Sequence, residues 1–152
     1  MIALALLAAC GGGAAATGSV EPASTARESV DEFMQAVADS NLTKMAMLWG
    51  GANGPAAVTG QPSDWEQRVL VMHSFLRGST HELANEYPGP SDDRRTVLVR
   101  VSRGGCSYDL PVTAVRSSRH GWLVNSFDLS VIGAPGRACG QQVPAELPTS
   151  EN

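Results

Sequence analysis

The segment TVLVRV, residues 96–101, decides the fold class of this chain because its apolar residues recur at every second position. That period places Val97, Val99 and Val101 on one face of an extended strand. The same alternation recurs in three other segments, so the pattern predicts a sheet of four strands that follow one another in the chain. The other three segments with this alternation are residues 80–87, 108–114 and 122–131.

The last predicted strand, WLVNSFDLSV (122–131), changes phase within its length. Its apolar positions are 122 and 124, followed by 127, 129 and 131. A regular strand would turn the second set toward solvent. A β-bulge near Asn125 and Ser126 would restore the phase and bend the strand.

Upstream of these strands the apolar period is close to 3.6, which is typical of helices that bury one face. Thr25 with Glu28, and Ser63 with Glu66, have the spacing of a capping box, and Asn41 is a typical cap for a helix between them. We therefore expect three helices. Their predicted buried stripes are Val30, Phe33, Met34 and Val37; Leu42, Met45, Leu48 and Trp49; and Trp65, Val69, Met72 and Leu76.

The glycine-rich segment GGANGP, residues 50–55, predicts a loop between the second and third helices. Helices followed by an antiparallel meander indicate an α+β fold, with N-terminal helices packed on a curved antiparallel four-stranded sheet. The chain has 152 residues, which suits one domain, and we place that domain at residues 23–142.

The order of these elements resembles a known superfamily. The pattern VDEFMQAVADSNLTKMAMLW (30–49) and the GW pair at 121–122 are similar to the nuclear transport factor 2-like, or cystatin-like cone, superfamily over residues 26–132. The resemblance implies a pocket between helices and sheet. Some members are ketosteroid isomerases with an aspartate base, but no residue of this chain matches that pattern. Asp39 ends a predicted helix, and Asp128 lies on the polar face of a strand.

The N-terminal segment LLAACGGG, residues 6–13, resembles a lipobox of bacterial lipoproteins at Leu7, Ala8, Ala9 and Cys10. The resemblance implies a signal peptide at 1–9, cleavage before Cys10 and a lipid on its sulfur. Residues 10–22 would then form a lipidated flexible tether, and residues 143–152 a disordered tail. Signal peptides usually begin with Lys or Arg, and here the first is Arg27. The true start would then lie upstream, or the segment is a disordered terminus with an incidental cysteine.

The lipid on Cys10 would make the membrane of a bacterial envelope the first partner of the chain. No aspartate follows Cys10, which by resemblance to lipoprotein sorting favours the outer membrane in an organism with two membranes. A formal net charge of −4, with only 11 Lys and Arg residues, argues against a nucleic-acid partner. The further partner would be an envelope protein or a small molecule.

Once Cys10 is assigned to lipid, Cys106 and Cys139 remain as a candidate disulfide pair, with two free thiols as the alternative. An oxidising compartment would permit the bridge. Metal binding is disfavoured because neither cysteine has a CxxC partner. The histidines also lack ligand spacing; they are His73, His81 and His120.

Alternation in the first and third strands places His81, Asn85, Tyr87 and Tyr108 on the inner face, where they could line a pocket. The alternative is that these residues, like His73, are hydrogen-bonded at the core or its rim. No nucleophile or cofactor motif occurs. The sequence therefore favours a non-catalytic binding or scaffolding domain. An isomerase- or hydrolase-like enzyme with a small-molecule pocket, and a purely structural role, are the alternatives.

Overall fold

The computed structural model describes residues 20–137. It contains four α-helices, a short hairpin, a four-stranded sheet and a closing 3₁₀ helix, and so has the α+β class that the sequence predicts. Chain order gives α1 Ala26–Ala38, α2 Leu42–Leu48, β1 Gly50–Gly51, β2 Gly54–Pro55, α3 Ala56–Thr59, α4 Trp65–Leu76, β3 Thr80–Pro88, β4 Arg94–Arg103, β5 Cys106–Ser117, β6 Gly121–Phe127 and the 3₁₀ helix Leu129–Ile132.

The first predicted cap is confirmed in part. Thr25 Oγ1 accepts a hydrogen bond from Glu28 N at 3.1 Å, and α1 begins there. The Glu28 carboxylate does not return to the Thr25 amide as its main partner. It accepts from Ser24 N at 2.7 Å and from Ser24 Oγ at 2.6 Å, so the cap closes one residue earlier than in a capping box.

Of the other two predicted caps, one is confirmed and one is wrong. Asn41 Oδ1 accepts from Lys44 N at 2.9 Å at the start of α2. Helix α4 is preceded by Asp64 instead of Ser63, and its cap makes no side-chain hydrogen bond to the helix amides. The Asp64 carboxylate is engaged by Arg68 one turn later, which explains why it does not act as a cap.

The predicted loop at residues 50–55 is wrong, because the segment forms the β1–β2 hairpin and leads into α3. Two hydrogen bonds hold the base of the hairpin, one within it and one from β6. Ala56 N donates to Trp49 O at 2.8 Å, and Asn125 Nδ2 donates to Gly50 O at 2.8 Å. A glycine-rich sequence alone carries no sign of these partners.

The sheet is antiparallel in the order β3–β4–β5–β6, so the predicted meander is confirmed. Val97, Val99 and Val101 of β4 are buried together on its inner face, as their alternation predicts. Helix α1 packs on this face, where Phe33 and Phe127 meet edge to face with ring centres 5.9 Å apart. The core therefore lies between α1, α2, α4 and one face of the sheet.

The predicted bulge in β6 is confirmed at Asn125. Ala114 pairs with Val124 and Thr113 pairs with Ser126, which leaves Asn125 as the extra residue. The predicted extension of this strand to residue 131 is wrong. Asp128 accepts from Ser130 N at 2.9 Å and starts the 3₁₀ helix, so the chain turns away after residue 127.

Strand β3 carries a second bulge, which the alternation did not predict. Leu83 pairs with Val99, but the next inward pair is Glu86 with Val97, so one extra residue lies between them. The guanidinium of Arg27 on α1 holds the carbonyls of this bulge. Beyond the bulge, every side chain of β3 changes face relative to the prediction.

Among residues 20–137, no helix combines the length and the apolar character that crossing a bilayer requires. The predicted signal peptide at 1–9, the lipid site Cys10, most of the tether and the tail at 143–152 lie outside the described residues. The candidate disulfide residue Cys139 also lies outside them, whereas Cys106 begins β5.

Candidate functional site

Two of the four residues predicted to line a pocket lie on the inner face. His81 and Tyr108 are cross-strand neighbours of Val101 from either side, and both are partly buried. His81 Nε2 lies 3.1 Å from Asp31 Oδ1 of α1, and Tyr108 packs against the core. The His81 contact supports the alternative that the sequence left open, in which such residues are hydrogen-bonded at the core or its rim.

The other two, Asn85 and Tyr87, are not on the inner face, so their predicted placement is wrong. Asn85 falls in the β3 bulge, and Tyr87 pairs with Thr96 on the outer face. Both are exposed, and Asn85 Nδ2 donates to Tyr87 Oη at 3.2 Å. The structure therefore does not bring the four residues together, and none of them lines the grooves described below.

One concave site lies between α4 and the end of β6, and we call it the bulge groove. It has a volume of about 430 Å³ and combines apolar side chains with amide, hydroxyl and charged groups. Its lining residues are Trp49, Asp64, Gln67, Arg68, Val71, Met72, Asn125, Ser126, Phe127 and Leu129. An adjoining hollow of about 410 Å³ continues over the β1–β2 hairpin and shares Trp49, Arg68 and Asn125.

Asn125 lines both hollows and is fixed there by hydrogen bonds. Its Nδ2 donates to Gly50 O at 2.8 Å, and its Oδ1 accepts from Arg94 Nη1 at 3.2 Å. Its backbone carbonyl accepts from Trp49 Nε1 at 2.9 Å. The bulge thus joins the sheet, the hairpin and the end of α2 through three hydrogen bonds on one residue, which fixes the shape of the groove.

The two ionisable residues that line the bulge groove neutralise each other. Arg68 Nε donates to Asp64 Oδ1 at 2.9 Å, one helical turn away. The hydrogen bond from Arg68 lowers the pKa of Asp64, and the same bond raises the pKa of Arg68. Asp64 is therefore a poor proton acceptor at neutral pH, and the pair presents polar groups without net charge.

A second depression, which we call the helical groove, lies between α2, α3 and α4. Its volume is about 310 Å³, and its wall is almost entirely apolar. The lining residues are Leu42, Thr43, Ala46, Met47, Ala57, Trp65, Glu66, Val69 and Leu70. Helix α4 therefore separates two grooves of different character, one amphipathic and one apolar.

Within residues 20–137, no group of three or more His, Cys, Asp or Glu side chains is arranged to hold a metal ion. The chemistry of the bulge groove is that of hydrogen bonding and apolar contact. Sequence reasoning missed this site, although it identified Asn125 as the position of a bulge. An amide side chain at a predicted bulge was the one signal available, because bulges often redirect a side chain at functional sites.

No family model matches the chain, and no curated protein matches its sequence. Two solved structures resemble it. A protein of unknown function with a cystatin-like fold from Nostoc punctiforme PCC 73102 aligns with a TM-score of 0.44 and 12% identity, over 69% of this chain and 90% of that one. A nuclear transport factor 2-like protein of unknown function from Cytophaga hutchinsonii ATCC 33406 aligns with a TM-score of 0.40 and 11% identity, over 68% and 90%. The α+β class of this chain rests on its own strand order and helix packing.

Proposed function

We propose that the chain is a non-catalytic binding domain that takes a small, uncharged amphipathic molecule in the bulge groove. The observation that carries the proposal is the lining of that groove, which pairs an apolar wall with polar groups of no net charge. Its volume of about 430 Å³ falls within the usual range for small-molecule sites.

The groups at the groove favour binding over proton transfer. General acid–base catalysis needs a titratable group with a pKa near the working pH. The hydrogen bond from Arg68 lowers the pKa of Asp64, away from that range. No histidine lines the groove. By contrast, the amide of Gln67 and the hydroxyl of Ser126 can orient a neutral ligand against Met72 and Phe127.

We also propose that the domain works at a bacterial envelope, held by a lipid on Cys10. The support is the match of Leu7, Ala8, Ala9 and Cys10 to a lipobox. The segment between Cys10 and the first described residues would reach at most about 40 Å when extended. The ligand would therefore be met close to the membrane surface, and several acyl chains would make the attachment stable.

The binding proposal is tested by amide NMR spectra of the chain mixed with a fragment library of neutral, anionic and cationic molecules of equal size. We expect neutral amphipathic fragments to shift the amides of residues 64–72 and 125–129. A Ser126→Trp variant fills the groove and should abolish these shifts. Ser118→Trp, at another exposed serine, in the β5–β6 turn, should leave them unchanged. Shifts elsewhere, or shifts that persist in Ser126→Trp, would refute the proposal.

The anchor is tested by intact mass spectrometry of the full chain purified from the membranes of a bacterial host. We expect a mature chain that begins at Cys10 and carries the added mass of acyl chains. Cys10→Ser should lose that mass and leave the membrane fraction, whereas Cys106→Ser should keep it. A membrane-free chain that retains Met1 and an unmodified Cys10 would overturn this part of the proposal.

A further inference from the structure

Helix α4 exposes two large apolar side chains among its polar ones. Val69, Met72 and Leu76 are buried, but Leu70 and Val71 remain 54% and 41% exposed. Leu70 also forms one rim of the helical groove, so exposed apolar surface and an apolar depression lie side by side.

A stripe of four residues runs along the groove side of α4. Glu66, Leu70, His73 and Arg77 follow each other at spacings of four, three and four residues. At about 100° per residue, they fall within roughly 60° of one another around the helix axis. Leu70 is the apolar member of this stripe, and His73 Nε2 lies 3.1 Å from Ser40 Oγ of the same chain.

The two ends of the stripe carry opposite charges. Glu66 and Arg77 are exposed, and neither side chain makes a hydrogen bond or ion pair within residues 20–137. They lie eleven residues apart, which is three helical turns or about 16 Å. A stripe with a negative start and a positive end is complementary to itself in the antiparallel direction.

We propose that a second copy of this chain docks on the stripe, with the two α4 helices antiparallel about a two-fold axis. Each Glu66 then faces the partner's Arg77, and each Leu70 enters the space beside the partner's helical groove. Such an isologous contact uses the same patch on both copies, so one surface with both a projection and a depression is sufficient. The proposal does not rest on the proposed function.

The expected dimer is reversible. Two helices of this length are in contact over about 18 Å, which gives an interface at the small end of the range for specific complexes. We therefore expect dissociation in the micromolar range. The charge pairs at the rim would set the register and direction of the helices, and Leu70 would supply the apolar contact.

The test is sedimentation equilibrium of the full chain with Cys10→Ser, which keeps it free of lipid, from about 1 µM to about 1 mM. We expect a monomer–dimer equilibrium in the parent chain. Glu66→Arg and Arg77→Glu should each weaken dimerisation about tenfold or more, because each places like charges opposite one another. The double variant Glu66→Arg with Arg77→Glu should return to within about threefold of the parent.

Two further variants keep the test decisive. Leu70→Gln should weaken the dimer, and circular dichroism should show that the exposed substitution leaves the fold intact. Arg119→Glu, an exposed charge reversal in the β5–β6 turn, should not change the equilibrium. A monomer at all concentrations, single reversals without effect, or a double variant as weak as the single ones would each overturn the proposal.

Discussion

Asn125 shows how one side chain can join parts of the molecule that are far apart in sequence. Its amide donates to Gly50 O and accepts from Arg94, so it needs both halves of the group. Aspartate would lose the donor, and an aliphatic residue would lose both functions. Because Asn125 is half-buried, the Gly50 carbonyl and the Arg94 guanidinium would have limited access to water after such a substitution, which raises its free-energy cost.

We predict that Asn125→Leu lowers the free energy of unfolding by about 1–3 kcal/mol, because the Gly50 carbonyl and the Arg94 guanidinium both lose a partner. Urea denaturation measures the change. Asn53→Leu is the control, since Asn53 is exposed and should change stability by no more than about 0.5 kcal/mol. Equal effects of the two substitutions would show that the Asn125 bonds do not stabilise the fold.

At the start of α1, the stability contributed by Glu28 should depend on pH. The hydrogen bond from the Ser24 hydroxyl lowers the pKa of Glu28 below its ordinary value. A carboxyl whose pKa is lowered by folding stabilises the protein above its unfolded pKa, and this contribution is lost as the pH falls through the folded pKa. The wild type should therefore be more stable than Glu28→Gln at neutral pH, with the difference shrinking in acid.

Thermal melts of both proteins between neutral and acidic pH measure that difference. Glu21→Gln serves as the control, because Glu21 is exposed and makes no hydrogen bond within residues 20–137. A difference between wild type and Glu28→Gln that stays constant or grows in acid would contradict the assignment.

At the scale of elements, local sequence patterns predicted the features that depend on contacts between residues close together in the chain. The caps at Thr25 and Asn41, the buried stripe of β4 and the bulge at Asn125 all follow from spacing within a few residues. The bulge in β3 does not, because Arg27 holds its carbonyls from 56 and 57 residues away. The bulge places Tyr87 on the outer face, so the strand-face prediction is wrong there.

The turn into β6 depends on a glycine with a positive φ. Gly121 has φ +65°, and a Cβ added there would lie 2.4 Å from the Ala23 carbonyl oxygen. The segment before α1 pairs with β6 at this point, since Trp122 N donates to Ala23 O at 3.0 Å. A side chain at Gly121 would therefore push that segment off the edge of the sheet.

We predict that Gly121→Ala costs more stability than Gly60→Ala, although the two glycines share the same φ. Gly60 has open space for a methyl group, so its substitution should cost only the backbone strain of about 1 kcal/mol. Gly121→Ala adds the collision with Ala23 and should cost at least about 2 kcal/mol. Denaturant unfolding of both variants checks the order, and equal losses would contradict the proposed contact.

At the scale of the whole molecule, the site was less predictable than the fold. The bulge groove is lined by residues of α4 and of the end of β6, although about 50 residues separate these elements in the chain. Periodicity tells which face of each element is buried, but not which polar residues of different elements meet at the edge of the core. The sequence could therefore predict the α+β class and the strand order, and not the residues that line the groove.

Cys106 and Cys139 are the candidates for a covalent link between the C-terminal part of the chain and the sheet. Cys106 lies at the start of β5, and Cys139 follows the described residues closely in sequence. A disulfide between them would close a loop of about 34 residues and stabilise the fold by about 3–4 kcal/mol in the chain-entropy model.

We expect Cys139→Ser to lower the free energy of unfolding by that amount under oxidising conditions, and reduction to remove the difference between the variant and the parent chain. Intact mass should rise by about 2 Da when the parent is reduced, because two hydrogens are added per disulfide. A parent chain whose mass and stability are unchanged by reduction would contain two thiols, which is the alternative that the sequence left open.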